Sequence, residues 1–202
     1  MVGAGIPMVL DALADCLLVA PGDIGVDKAV GAAAGEVIVA KPEPPEQPLT
    51  ILAALGPRML ALSGSHADGA HPYNVPPEHT AEARGILGPG KLLCPEVWVL
   101  LESDAAKARA LARQALTNYL RLDNYVNNWR RLGFGDDDFA GGGANRFVDA
   151  NVAWGDEAAI RKRLKEHWDA GADHICIQSI NPDGTRRPDD KVLALLAPGR
   201  RG

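Results

Sequence analysis

Ile51-Leu52-Ala53-Ala54-Leu55-Gly56-Pro57-Arg58-Met59-Leu60 is a short apolar run that stops at Gly56-Pro57 and passes at once into a helical pattern. Proline tolerates the first turn of a helix, where its missing N–H has no partner to lose. Glycine lets the backbone bend sharply and lets a ligand approach without a Cβ in the way. A strand that feeds straight into a helix presents free N–H groups and the positive end of a dipole, a combination that suits a phosphate. A plain strand-to-helix turn of an α/β protein fits the same ten residues. The rest of the chain must decide between them.

Outward from this stretch the punctuation is regular. Residues 49–55 read as a strand and 57–66 as a helix with Met59, Leu60 and Leu62 turned inward. Residues 69–73 read as a short buried strand. A helix over 76–87 is opened by Pro76-Pro77 and Glu78 and stopped by Gly88-Pro89. Residues 95–102 form the clearest strand, apolar on both faces as a parallel strand between layers requires. Ser103-Asp104 offers a cap for a helix over 104–121, which Tyr125, Trp129 and Leu132 continue. Residues 133–145 read as a glycine- and aspartate-rich loop. A helix over 156–170 ending at Gly171, a strand over 173–179, an exposed loop over 181–190 and a short helix over 191–197 complete the pattern. Such alternation means right-handed βαβ units and a parallel sheet, either open and doubly wound or closed into a barrel. In both, ligands sit at the carboxyl ends of the strands, here after Leu55, Tyr73, Glu102 and Gln178.

The bulk properties exclude several partners. The 202-residue chain has a formal net charge of −5 and no basic face, which argues against nucleic acid. Cys16, Cys94 and Cys176 are odd in number and lack a CxxC spacing, arguing against a disulfide framework or zinc and for a reducing cytoplasm. The first 20 residues are apolar but lack a basic n-region and carry Asp11 and Asp15. They read as an amphipathic helix over 4–20, with Met8, Leu10, Leu13, Leu17 and Leu18 near one face, and as neither a targeting nor a membrane segment. Residues 37–40 offer a short strand, and the prolines of 41–48 make a linker.

Among the polar residues, His66, His71 and His79 have spacings of five and eight that fit no zinc pattern, so no metal is expected. His71 ends a strand, where its imidazole could face a ligand or could bond to backbone. Tyr73 follows it and either lines a pocket or seals the core. Glu102 closes the 95–102 strand and either faces the ligand or begins the capping of the next helix. Gln178 lies near the ligand end of the last strand, and His174 at the opposite end. Cys176 reads as a small core residue. Asp136-Asp137-Asp138 and Gly141–Gly143 lack the ligand spacing of a calcium loop, so 133–145 is expected to be a mobile lid; the flanking Trp129, Phe134, Phe139 and Phe147 fit a lid over an apolar pocket or simple anchoring to the barrel side.

Five short stretches resemble one family in the same order. They are Ala53-Ala54-Leu55-Gly56-Pro57-Arg58-Met59-Leu60, Ala67-Asp68-Gly69-Ala70-His71-Pro72-Tyr73, Pro77-Glu78-His79-Thr80, Asn151-Val152-Ala153-Trp154-Gly155-Asp156-Glu157 and Asp169-Ala170-Gly171-Ala172-Asp173-His174. Together they resemble the C-terminal half of the luciferase-like flavin and deazaflavin oxidoreductases, in particular the actinobacterial branch that uses coenzyme F420. The resemblance implies a TIM-barrel-like (β/α)8 fold, with residues 49–202 its C-terminal part carrying strands five to eight. It implies F420-dependent hydride transfer to a small organic substrate, or alternatively an FMN-dependent member of monooxygenase type. It places the cofactor phosphate on the backbone of Ala54, Leu55, Gly56 and Pro57, while His71, Tyr73, Glu102 and Gln178 remain the pocket candidates by their places at strand ends. No catalytic residue is assigned.

Such barrels run to ~250 residues, and residues 1–48, an N-terminal helix and proline-rich linker, cannot supply four strands. The barrel is therefore expected to be incomplete, with Ile51, Ala53, Val97, Val99, Ile175 and Ile177 partly uncovered on its inner face and open sheet edges that drive homo-oligomerisation. A non-catalytic half-barrel remnant that binds a partner is the alternative to an enzyme.

Overall fold

The computed structural model describes residues 17–19 and 49–197. The strands are β1 (Leu17–Val19), β2 (Ile51–Ala53), β3 (Gly69–His71), β4 (Leu92–Leu93), β5 (Glu96–Leu101), β6 (Val152–Gly155) and β7 (Ile175–Ser179). The helices are α1 (Pro57–His66), α2 (Pro77–Leu87), α3 (Ala105–Leu116), α4 (Asp123–Arg131), α5 (Asp136–Phe139), α6 (Asn145–Asn151), α7 (Glu157–Asp169) and α8 (Asp190–Leu196). Pairing is parallel throughout except for β1, which runs antiparallel to β7. Leu17 and Leu18, expected in a helix, thus lie in a strand. The remainder of the 4–20 helix, the 37–40 strand and the 41–48 linker fall outside the described residues.

Two sheets, β2-β3-β4 and β1-β7-β5-β6, meet along one bent strand. Cys94 N donates to Ala70 O at 2.9 Å and Glu96 N to Pro72 O at 2.8 Å, so the β3 ladder runs on past β4 into the start of β5. Pro95 faces the β7 edge, where it has no N–H to give and its carbonyl accepts from Cys176 N at 3.0 Å, so the β3 ladder passes it undisturbed. Beyond Glu96 the same edge passes to β6, from Trp98 opposite Val152 to Leu101 opposite Gly155, while β7 pairs along the other edge. The first sheet needs one glycine absolutely. A Cβ on Gly69 would stand 2.2 Å from Leu92 O and 2.9 Å from Ile51 Cδ1. Among the described residues the sheet does not close into a barrel.

The helices cap and pack as elementary rules dictate. Asp104 and Asp156 accept from the backbone of Lys107 and Ala159 and so satisfy the first turns of α3 and α7. In α1 only Leu60 and Ser63 are buried. Met59 and Leu62 are 41% and 42% exposed, against expectation, because α1 meets the sheet through a stripe one residue wide. The 104–121 helix ends at Leu116, and Tyr119–Arg121 form a single 3-10 turn before α4. The expected 133–145 loop is largely ordered as α5 and a 3-10 turn, followed by α6 and β6, both of which sequence reading missed. Val152 is at once the C-cap of α6 and the first residue of β6, so no glycine or proline marks the junction.

One assignment of faces reverses. Val97, Val99, Ile175 and Ile177 pack under α7 and α8 with Ile160, Leu164, Val192 and Leu196, so they face the helices. They are fully covered, and the inner face carries Glu96, Trp98, Cys176 and Gln178, in register across β5 and β7. A strand buried on both faces offers no hydrophobic alternation from which to read its orientation. Trp98 and Leu100 meet α3, α4 and α6 through Trp129, Phe134 and Phe147. The aromatics around residues 133–145 are thus core, with Trp129 and Phe147 fully buried, and do not form a mobile lid.

Candidate functional site

The turn between β2 and α1 is built from both sides. Ala54 is buried and its N–H bonds to His71 O at 3.4 Å. Leu55 O accepts from His79 Nε2 at 2.8 Å and from Arg131 Nη2 at 3.4 Å. His79 is fully buried on α2, and burial holds its pKa below the ordinary range, so it stays neutral and keeps Nε2 protonated toward the carbonyl. Gly56 is the N-cap of α1 in an extended conformation open to any residue, and Pro57 sits in the first turn. The guanidinium of Arg131 stands over the turn, 3.8–3.9 Å from the point a Gly56 Cβ would occupy. A helix N-terminus, an open glycine and a cation therefore converge at Leu55-Gly56-Pro57, and this donor set fits an anionic phosphate. Arg131 lies 76 residues from Leu55, and its place at the end of α4 reads in the sequence as ordinary helix-end charge.

A polar network lies on the inner face, where the carboxyl ends of β3 and β7 meet the first residues of β5. Tyr73 OH donates to Gln178 Oε1 at 2.8 Å and shares a 2.9 Å hydrogen bond with Tyr119 OH. The two rings stack at 5.6 Å, and Trp98 meets both edge-on. Trp98 Nε1 donates to Glu96 Oε1 at 3.2 Å. Glu96 is 1% exposed, and burial is the largest influence raising its pKa. Burial, then the Glu96 charge, also pushes the Tyr73 hydroxyl up. His71 Nδ1 lies 2.6 Å from Cys94 O, which can only accept, so Nδ1 carries a proton and Nε2 turns toward Glu96 Oε2 at 3.7 Å.

Above this network opens a cleft of about 440 Å³ whose lining includes Tyr73, Trp98, Gln114, Tyr119, Gln178 and Asn181. Its walls combine aromatic faces with side-chain amides and the charged Arg186, a surface for a planar polar molecule. Of the four residues expected at the pocket, Tyr73 and Gln178 line it together. His71 lies beneath, bonded to backbone and turned toward Glu96. Glu102 is drawn away: it binds Lys107 at 2.6 Å and accepts from Asp104 N at 3.0 Å, and these bonds hold its carboxyl below the usual range. Sequence reading missed Glu96, Trp98 as a pocket wall, and Tyr119. The run Glu96-Val97-Trp98, with polar and aromatic residues two apart in an apolar strand, was the available signal.

No protein-family model matches the sequence, and no curated protein matches it. Solved structures do match. An F420-dependent secondary alcohol dehydrogenase in complex with an F420–acetone adduct is 15% identical with a TM-score of 0.50, over 69% of this chain and 46% of that one. The coenzyme F420-dependent tetrahydromethanopterin reductase from Methanopyrus kandleri is 17% identical with a TM-score of 0.48, over 74% and 48%. The chain spans about half the length of these structures. The likeness to the first is one of fold: a parallel α/β architecture similar to luciferase-like barrels. No helix among the described residues is long and apolar enough to cross a membrane.

Proposed function

We propose that this chain is an oxidoreductase of the luciferase-like superfamily that uses coenzyme F420, or alternatively FMN, to move a hydride to or from a small organic substrate. The observation that carries the reading is the Leu55-Gly56-Pro57 turn with Arg131 over it, at the same carboxyl-end rim as the aromatic cleft. The backbone of Ala54, Leu55, Gly56 and Pro57, with Arg131, would hold the phosphate of the coenzyme. When bound, the coenzyme supplies the hydride. The chain supplies orientation through Tyr73 and Gln178, and aromatic walls that exclude water.

Titration of the deazaflavin, followed by its fluorescence, tests this. Gly56→Val should fold normally, since the added Cβ meets only ordinary contacts in an extended backbone. It should nonetheless weaken binding by crowding the phosphate. Arg131→Met should weaken binding by about tenfold or more, the worth of a charge-assisted hydrogen bond. Unchanged affinity in both variants would refute the placement.

A non-catalytic half-barrel that binds a partner is the second reading. It is favoured by β2, which among the described residues pairs only with β3, and by the exposure of Leu49, Met59 and Leu62 beside it. Absence of deazaflavin and FMN binding, together with a dimer in sedimentation, would support it.

A further inference from the structure

His71 Nε2 and Glu96 Oε2 are both buried and face each other at 3.7 Å, and neither has a hydrogen-bond partner among the described residues. Because His71 Nδ1 already points its proton at Cys94 O, a neutral imidazole would turn a lone pair toward the carboxyl group. Two facing lone pairs in a buried site repel, whereas one proton between them satisfies both atoms. Glu96 Oε1 is meanwhile held by Trp98 Nε1, which fixes the carboxyl group in this orientation. The hydroxyl of Tyr73 also approaches the carboxyl group and favours its ionised form, so it is placed to receive what the pair releases. With the Tyr73 proton on Gln178 Oε1, Tyr119 donates to the Tyr73 oxygen, so the two hydroxyls form one hydrogen-bonded chain, and both residues line the cleft.

We propose that His71 and Glu96 hold one proton in common beneath the cleft, and that Tyr73 and Tyr119 deliver it to a basic oxygen or nitrogen of the molecule bound above. The substrate class is then a polarised C=O, C=N or conjugated C=C compound, whose reduction takes up a proton as well as a hydride. In the delivery step a tyrosine O–H bond breaks as an O–H or N–H bond forms on the ligand. The tyrosine oxygen regains its proton from the His71–Glu96 pair, and the pair is recharged from water when the cleft is empty. No electrons change hands in this relay. Tyr73 is the residue that touches the ligand; His71 and Glu96 act through it. The other titratable groups facing the pair are Tyr119, Tyr125 on α4, and Cys176 and His174 on the β7 side.

The substrate class rests on the oxidoreductase reading, but the proton store is testable without any coenzyme. Infrared spectra of the protein labelled at glutamate, with nitrogen NMR of His71, locate the proton at neutral pH. A carboxylic acid band that disappears in Glu96→Gln, or an imidazolium at His71, supports the pair. An ionised Glu96 beside a neutral His71 overturns it. Hydrogen–deuterium exchange of that proton reads the relay. Tyr73→Phe should keep the shared proton and slow its exchange by about tenfold, since the path loses a hydrogen-bonded link. Unchanged exchange in both Tyr73→Phe and Tyr119→Phe overturns the route. Loss of deazaflavin binding with these results intact would defeat only the oxidoreductase reading.

Discussion

Acidification should unfold this protein through His167. The side chain is 1% exposed on α7, and its Nδ1 lies 2.9 Å from Thr80 Oγ1 on α2. Burial first, then the positive charge of Arg163 and the repulsion from His79 should it also take up a proton, lowers its pKa from 6.5 to about 3. Between those values the unfolded chain binds a proton that the folded chain refuses, so stability rises with pH and falls on acidification. The contribution is fully present above pH 6.5 and is lost as the pH falls toward 3. At 1.36 kcal/mol per unit the gap amounts to about 5 kcal/mol, comparable with the low end of a whole domain's stability. His79 shifts in the same direction and adds to the loss, whereas Glu96, whose pKa is raised, opposes it. The wild type must therefore be compared with His167→Asn, which keeps an acceptor toward Thr80 and cannot charge. Urea denaturation at half-unit pH steps is the assay. The difference in stability should be constant above pH ~7.5 and should then change by up to about 1.4 kcal/mol per unit as the pH falls below 6.5. Parallel pH profiles for the two proteins would refute the reasoning.

Gly69→Ala should lower stability by about 1–3 kcal/mol or more, since its methyl group must push the β4 backbone away, and thermal melting would show it. Phe147 is fully buried, and its ring meets Trp129, Phe134 and Phe139 edge-on within 4.8–5.5 Å. Phe147→Ala should cost about 3–5 kcal/mol in urea denaturation followed by Trp129 emission, while Phe147→Leu should cost less; equal costs would contradict an aromatic contribution.

Much of the scaffold was legible because its boundaries are chemical. Pro57, the Pro76-Pro77 pair, Gly88, Asp104, Asp156 and Gly171 each mark an end that the structure keeps to within a residue or two. What lacked such punctuation was missed. The α6–β6 junction passes through Val152 with no breaker, and the faces of β5 and β7 differ only by Glu96 and Gln178 in otherwise apolar, buried strands. The candidate site was legible only where residues adjoin. Leu55-Gly56-Pro57 could be read from neighbours in sequence, and Tyr73 and Gln178 from their places at strand ends. Arg131 over Gly56, and Glu96 facing His71, are meetings across the fold that one sequence cannot display. His71 and Glu102 were singled out by strand position alone, which does not reveal that backbone and lysine partners hold them.

The strand that runs from β4 into β5 also divides the molecule in time. On its β3 side, the His71 imidazole meets Cys94 O, 23 residues away. Pairing on the β7 side joins Leu93 to Asp173, 80 residues apart. Closing the longer loop costs about 1 kcal/mol more in chain entropy, and it gains its contacts only after α3 to α7 have been made and gathered. Long-range parallel pairing of this kind is slow compared with local contacts. The strand therefore carries an early edge and a late one. The first assembles β2, α1, β3 and α2 as a local unit. The second seats Cys176 opposite Glu96 and Gln178 opposite Trp98, so the floor of the cleft depends on the slower of the two pairings.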